Sequence, residues 1–134
     1  VRRAALIAAL LAAGPASADE MATAYTRWCS GCHGAGGAGV PERGIPDLHD
    51  AGAYAGGGLG RRYLAQVPGL SQSPLDDATA ARLLNYVLRR FSSDRLPEGF
   101  RPYDAAEVAA LRADKASDAP ERRAAALREA RSEP

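Results

Sequence analysis

Residues 29 to 33 read Cys-Ser-Gly-Cys-His, using both cysteines and one of the two histidines of a 134-residue chain. Two thiols three positions apart, with an imidazole directly after the second, suit four chemistries. The thiols can add to the two vinyl groups on one edge of a porphyrin while the adjacent imidazole takes the iron. Cys29 and Cys32 would then hold a haem c covalently, with His33 as proximal iron ligand. The thiols can instead cycle as a thioredoxin-like dithiol, but that use wants a βαβ surround, and strand signal is nearly absent here. They can close a plain disulfide, which restrains so short a loop little and leaves His33 idle. Or they can join His33 and His49 around zinc, although a zinc finger sets its first histidine about a dozen residues beyond the second cysteine. Haem attachment accounts for all three side chains, and the Gly-rich run "GAGGAG" directly after the motif agrees with it.

The elements that must position this motif read as helices. "DEMATAYTRW", Asp19 to Trp28, leads into it with Asp19 and Glu20 at its positive end and Met21, Tyr25 and Trp28 along one stripe. Gly31 to Gly60 is rich in Gly and Pro and reads mostly as loop. A short helix runs from Gly60 to Val67 and stops at Pro68. The strongest helical pattern is residues 76 to 91, "DDATAARLLNYVLRRF", with Asp76 as N-cap and Leu83, Leu84, Tyr86, Val87 and Leu88 forming a wide apolar face. After a linker, Asp104 and Glu107 make a capping box flanked by Tyr103 and Val108 as a hydrophobic staple. The last piece, Pro120 to Ala130, carries little apolar surface and is expected to pack weakly or fray.

The N-terminus has a different character. Arg2 and Arg3, an apolar run from Ala4 to Ala13 and then Ala16-Ser17-Ala18 have the layout of a secretory signal over residues 1–18. The run is too short to span a bilayer, so the remainder is expected to be exported and soluble, as a periplasmic protein is. Seventeen basic and 16 acidic residues give a net charge of +1, and without the leader the balance becomes slightly negative. Such a chain offers no electrostatic reason to bind nucleic acid. "GAYAGGGLG" lacks the Lys and Ser/Thr of a phosphate loop, and no paired carboxylates or nucleophile with its base suggest a hydrolase. The fold class is therefore all-α: a haem domain in residues 19–92, and a linker and helical extension in 93–134. Some 74 residues is little for an unaided core, and a flat apolar ring at its centre would make up the shortage.

With these parts in hand, the chain resembles a small bacterial class I cytochrome c over residues 20 to 92. The helix entering "CSGCHGAGGAGV", the loop "PERGIPDL" and the last helix of "LDDATAARLLNYVLRRF" carry the resemblance. It implies one covalent haem and single-electron transfer between redox proteins, with an exported dehydrogenase or terminal oxidase as partner. It also implies that the first and last helices cross at an aromatic, here Tyr86 against Tyr25 or Gly36–Gly37. A loop carbonyl, of Pro41 or Pro46, is expected to bond the free nitrogen of His33.

One family feature is missing. The loop that would carry a distal Met reads "QVPGLSQSPL", and the single methionine, Met21, lies upstream of the motif. His49 is the only other histidine and the candidate distal iron ligand, set against an exposed loop histidine beside Asp47 and Asp50. Tyr54 or Tyr63 as phenolate, or an open site, are the other choices, while Arg61 and Arg62 are expected to face haem propionates or solvent. Ligation by two histidines favours an electron carrier. An open site favours a gas or redox sensor or a weak peroxidase, and the extension could also serve to dock the domain on a larger assembly.

Overall fold

A computed structural model describes residues 18–114 and 119–132. The signal-peptide reading falls on residues 1–17, outside that range, apart from Ala18. Among the described residues the regular structure is all helical, with one isolated antiparallel bridge between Val40 and Ile45. None of these helices is long and apolar enough to cross a membrane.

Helix α1 (Ala18–Trp28) carries Asp19 and Glu20 in its first turn and buries Met21 and Tyr25, one helical turn apart, against α5. A single turn, α2 (Ser30–His33), continues it through the motif. The Gly-Pro region expected to be loop contains two 3₁₀ stretches, Pro41–Arg43 and Leu48–Tyr54. Helix α3 (Gly58–Gln66) ends where Pro68 has no N–H to continue it, and Pro68 instead opens the short α4 (Pro68–Ser71). In α5 (Asp77–Phe91) the Asp76 carboxylate caps the first turn by accepting from the Thr79 N–H at 2.7 Å. Its face of Ala80, Leu83, Leu84, Val87, Leu88 and Phe91 is the spine of the core.

Beyond Phe91 the chain stays with that core. Helix α6 (Ala105–Ala113) lies on α5 and α3, and Tyr103 and Val108 are buried on either side of its N-terminus. Only half of the expected capping box forms. Asp104 accepts from the Glu107 N–H at 2.8 Å, but the Glu107 carboxylate turns inward and pairs with Arg61. Arg61 is accordingly buried and does not face solvent as expected. Its Nε and Nη2 reach Glu107 at 2.7 Å each, and Nη1 reaches the carbonyls of Ala55 and Arg101. Arg62 is exposed and pairs with Asp114.

Helix α7 (Ala119–Ser132) corrects the expectation of weak packing. It lies along α3 with Ala126 wholly buried, and the Glu129 carboxylate accepts from the N–H groups of Leu59 (2.8 Å) and Gly60 (3.0 Å). Those N–H groups belong to the first turn of α3, where no helical partner exists and a negative charge is favoured. Small side chains let α7 approach closely, so its hold on the core owes more to polar contacts than to apolar bulk.

Candidate functional site

The motif folds as a turn hinged on Cys29. The Cys29 carbonyl accepts from the N–H groups of Cys32 (3.2 Å) and His33 (3.0 Å), and Gly34 N–H donates to Ser30 at 2.8 Å. Tyr25, one turn upstream, donates its hydroxyl to the Gly34 carbonyl at 2.5 Å, which closes the end of the motif back onto α1. Cys29 is half-buried and Cys32 exposed, and both are free thiols. Burial, and then the neighbouring Cys32, push the Cys29 thiol up to about 11.

The loop after the motif is built to bring one carbonyl to His33. Gly39 N–H returns to the His33 carbonyl at 3.0 Å, and Leu48 N–H donates to the Gly37 carbonyl at 2.8 Å. Between them Val40 and Ile45 pair at 3.0 and 3.2 Å around the 3₁₀ turn. Gly39 is needed for this: its φ is +65°, and a Cβ there would run into the carbonyl oxygens of Ile45 and Pro46. The result is a 3.0 Å hydrogen bond between His33 Nδ1 and the Pro46 carbonyl. Of the two prolines that the resemblance pointed to, Pro46 is the partner. A carbonyl can only accept, so Nδ1 carries the proton and Nε2 keeps its lone pair on the far edge of the ring. Burial holds the imidazole below its ordinary pKa, against smaller opposing effects of the Pro46 bond and the Asp47 charge. His33 is therefore presented as a neutral, oriented donor.

The aromatic at the crossing of α1 and α5 is Phe91, which corrects the assignment to Tyr86. The Phe91 ring lies 4.9 Å from that of Tyr25, and a Cβ on Gly37 would stand 2.8 Å from its edge. Tyr86 is half-buried one and a half turns earlier in α5.

His49 is placed apart from this arrangement. Its ring is 54% exposed and its Nδ1 bonds Asp47 Oδ1 at 2.6 Å, with the Phe91 ring edge-on at 5.9 Å. It thus belongs to the segment that approaches His33 from the Nδ1 side. Met21 is buried in the core. Tyr54 and Tyr63 pack together at 5.4 Å under α7, and burial raises both phenols, which keeps them protonated despite Arg123 nearby. Among the described residues no three or more His, Cys, Asp or Glu side chains gather as a cage for a metal ion. Cys29, Cys32, His33 and His49 thus lack the convergence that zinc requires. A cavity of about 670 Å³ lies elsewhere, between the Ala53–Gly56 turn and the Pro97–Arg101 loop, and none of the motif side chains lines it. The motif, and not the cavity, carries the recognisable chemistry.

Sequence reasoning missed the Arg61–Glu107 pair and the Glu129 cap, whose partners lie 46 and 70 residues apart. It also passed over Gly39, whose only signal was its place in a Gly-rich run. No protein-family model, curated protein or solved structure matches the chain.

Proposed function

We propose that this chain is an exported mono-haem c-type cytochrome that carries single electrons between redox proteins. In this reading Cys29 and Cys32 bind the porphyrin through thioethers and His33 is its proximal iron ligand. The observation that carries the reading is the His33 Nδ1 bond to the Pro46 carbonyl at 3.0 Å. Such a bond fixes the tautomer and ring direction of a metal-binding histidine and raises its basicity, and it leaves Nε2 as the donor. The donor set also fits in kind. Two free thiols and a neutral imidazole sit in one turn without converging on a point, as attachment at a porphyrin edge and ligation at its centre require. Half-buried Trp28, Leu48 and Val67 at the margin of the core add apolar surface.

Haem would supply the one-electron couple, while the chain supplies attachment, orientation and the docking surface. A dehydrogenase or terminal oxidase outside the cytoplasm is the class of partner that this reading implies. Expression with a c-type maturation system tests it. Haem that stays with the denatured chain, and is lost in Cys29→Ala, Cys32→Ala double variants, is the expected result. A chain that matures without haem would sink the reading.

A second reading, a haem protein that binds an external ligand, is favoured by the position of His49. It stands on the Pro46 side of His33, the side of Nδ1 and not of Nε2. The ferric spectrum of the parent and of His49→Ala separates the two. A low-spin parent turned high-spin by the substitution supports ligation by two histidines and the carrier. A high-spin parent indifferent to it supports ligand binding.

A further inference from the structure

The segment from Val67 to Asp76, between α3 and α5, closes against the motif where α1 runs into Cys29. A Cβ on Gly69 would stand 3.0 Å from the Trp28 carbonyl oxygen, and Leu70 beside it is buried. The segment reads "VPGLSQSPLD" and offers no sulfur or imidazole of its own. Both its ends are fastened by the last turn of α6. At the α3 end, Gln66 Nε2 donates to the carbonyls of Leu111 (2.8 Å) and Asp114 (2.7 Å). At the α5 end, Arg112 donates to the Ser73 carbonyl (3.0 Å), the Leu75 carbonyl (3.0 Å) and Asp77 Oδ1 (2.8 Å).

We infer that Arg112 is a positioning residue for this segment, and that through it the C-terminal extension governs the access of small iron ligands to the Cys29–His33 site. All the partners of Arg112 lie on residues 73 to 77, and its side chain is only 13% exposed. Three acceptors converge on one guanidinium, whose planar fork is suited to holding several at once. Val108, one turn before Arg112, is wholly buried in the core and holds α6 there by apolar packing, while Arg112 adds one bond to the first residue of α5, Asp77. Loss of the guanidinium is thus expected to free the loop while Val108 keeps α6 in the core. The anchorage stands on the described contacts alone, whereas the access role rests on the haem reading above.

The test compares the full-length parent, Arg112→Ala and Arg112→Lys by hydrogen exchange and by imidazole binding to the haem-bearing protein. Amides of Leu70, Ser71 and Gln72, bonded to the carbonyls of Val67 and Pro68, should exchange about tenfold faster or more in Arg112→Ala while α1 and α5 are unchanged. Imidazole should bind faster in step, and Arg112→Lys should recover part of both effects. Unchanged exchange in residues 67–76, or a uniform rise that includes α1 and α5, would overturn the anchorage. A haem-bearing chain with a freed segment but an unaltered imidazole rate would overturn the access role. A chain without haem that still shows the local change upholds the anchorage and sinks the haem reading instead.

Discussion

Removing the Glu107 carboxylate should cost this protein a large share of its stability, because of what it leaves behind. Arg61 is 9% exposed and bonds Glu107 through two parallel contacts of 2.7 Å. In Glu107→Ala the guanidinium keeps only the carbonyls of Ala55 and Arg101. Breaking a buried pair on one side costs about 3–5 kcal/mol. Glu107 is itself 19% exposed, so some water reaches the site and the lower end, about 3 kcal/mol, applies. That is about a fifth to three-fifths of the total stability of an ordinary domain and corresponds to a melting temperature lower by about 10–20 °C. Thermal unfolding followed by circular dichroism, with urea titration as a second measure, reads the effect. Replacing both partners with apolar residues, Arg61→Met with Glu107→Leu, should recover much of the loss, since no buried charge is then stranded. A loss in Glu107→Ala below about 1 kcal/mol, the size of a surface pair, would refute the reasoning. Stability should also depend on acid in a stated direction. Hydrogen bonds from Arg61, aided by the charges of Arg61 and Arg101, hold the Glu107 carboxyl below the usual glutamate range. Its contribution is fully present above that range and is lost as pH falls through the folded value. The slope of stability against pH in mild acid should flatten in Glu107→Gln.

Other substitutions probe the surroundings of the motif. Gly37→Ala should destabilise by about 2 kcal/mol or more in urea unfolding, because it combines a strained backbone with a clash; φ is +79° there and the new Cβ meets the Phe91 ring at 2.8 Å. Asp76→Ala should cost about 1 kcal/mol by the same measure through loss of the α5 cap. Truncation after Phe91 removes Tyr103, Val108 and Ala126 from the shared core and strips Arg61 of Glu107. The shortened chain should lose its cooperative thermal transition, and a sharp transition near that of the parent would overturn the account of the extension as part of the core.

Legibility in the sequence followed the range of the interactions. Helix α5 was readable because its cap and its apolar face are set by residues within a few positions of one another. The helical turn at Ser30–His33 was not read, since Gly31 begins a run whose Gly and Pro content suggests loop. His33 and Pro46 lie 13 residues apart, and the resemblance narrowed the partner to two prolines. Which one bonds depends on the Val40–Ile45 bridge and on the backbone freedom of Gly39, which composition alone does not rank. The crossing aromatic was misassigned for a geometric reason. Tyr86 and Phe91 are five positions apart, so they point about 140° apart around α5, and only the level at which α1 meets α5 selects between them. Helix α7 was misjudged because its Ala- and Arg-rich composition measures apolar bulk, whereas its attachment lies in Ala126 at a close helix contact and in Glu129 at the start of α3. Arg61 and Arg62, adjacent in sequence, have opposite fates because one turn of α3 faces α6 and the next position faces out.

The Glu129 cap also bears on the order in which the fold can be completed. The bond from Leu59 to Glu129 spans 70 residues, and closing a loop of that size has to precede any stabilisation that it brings. The start of α3 therefore lacks its cap until residue 129 has been made and can fold back onto it. During that interval the first turn of α3 is without part of its native support, whereas the turn of Cys29 and Cys32 is closed by bonds within its own few residues. Helix α7 thus acts as a clasp, the last of the described elements to be made and the one that completes the start of α3.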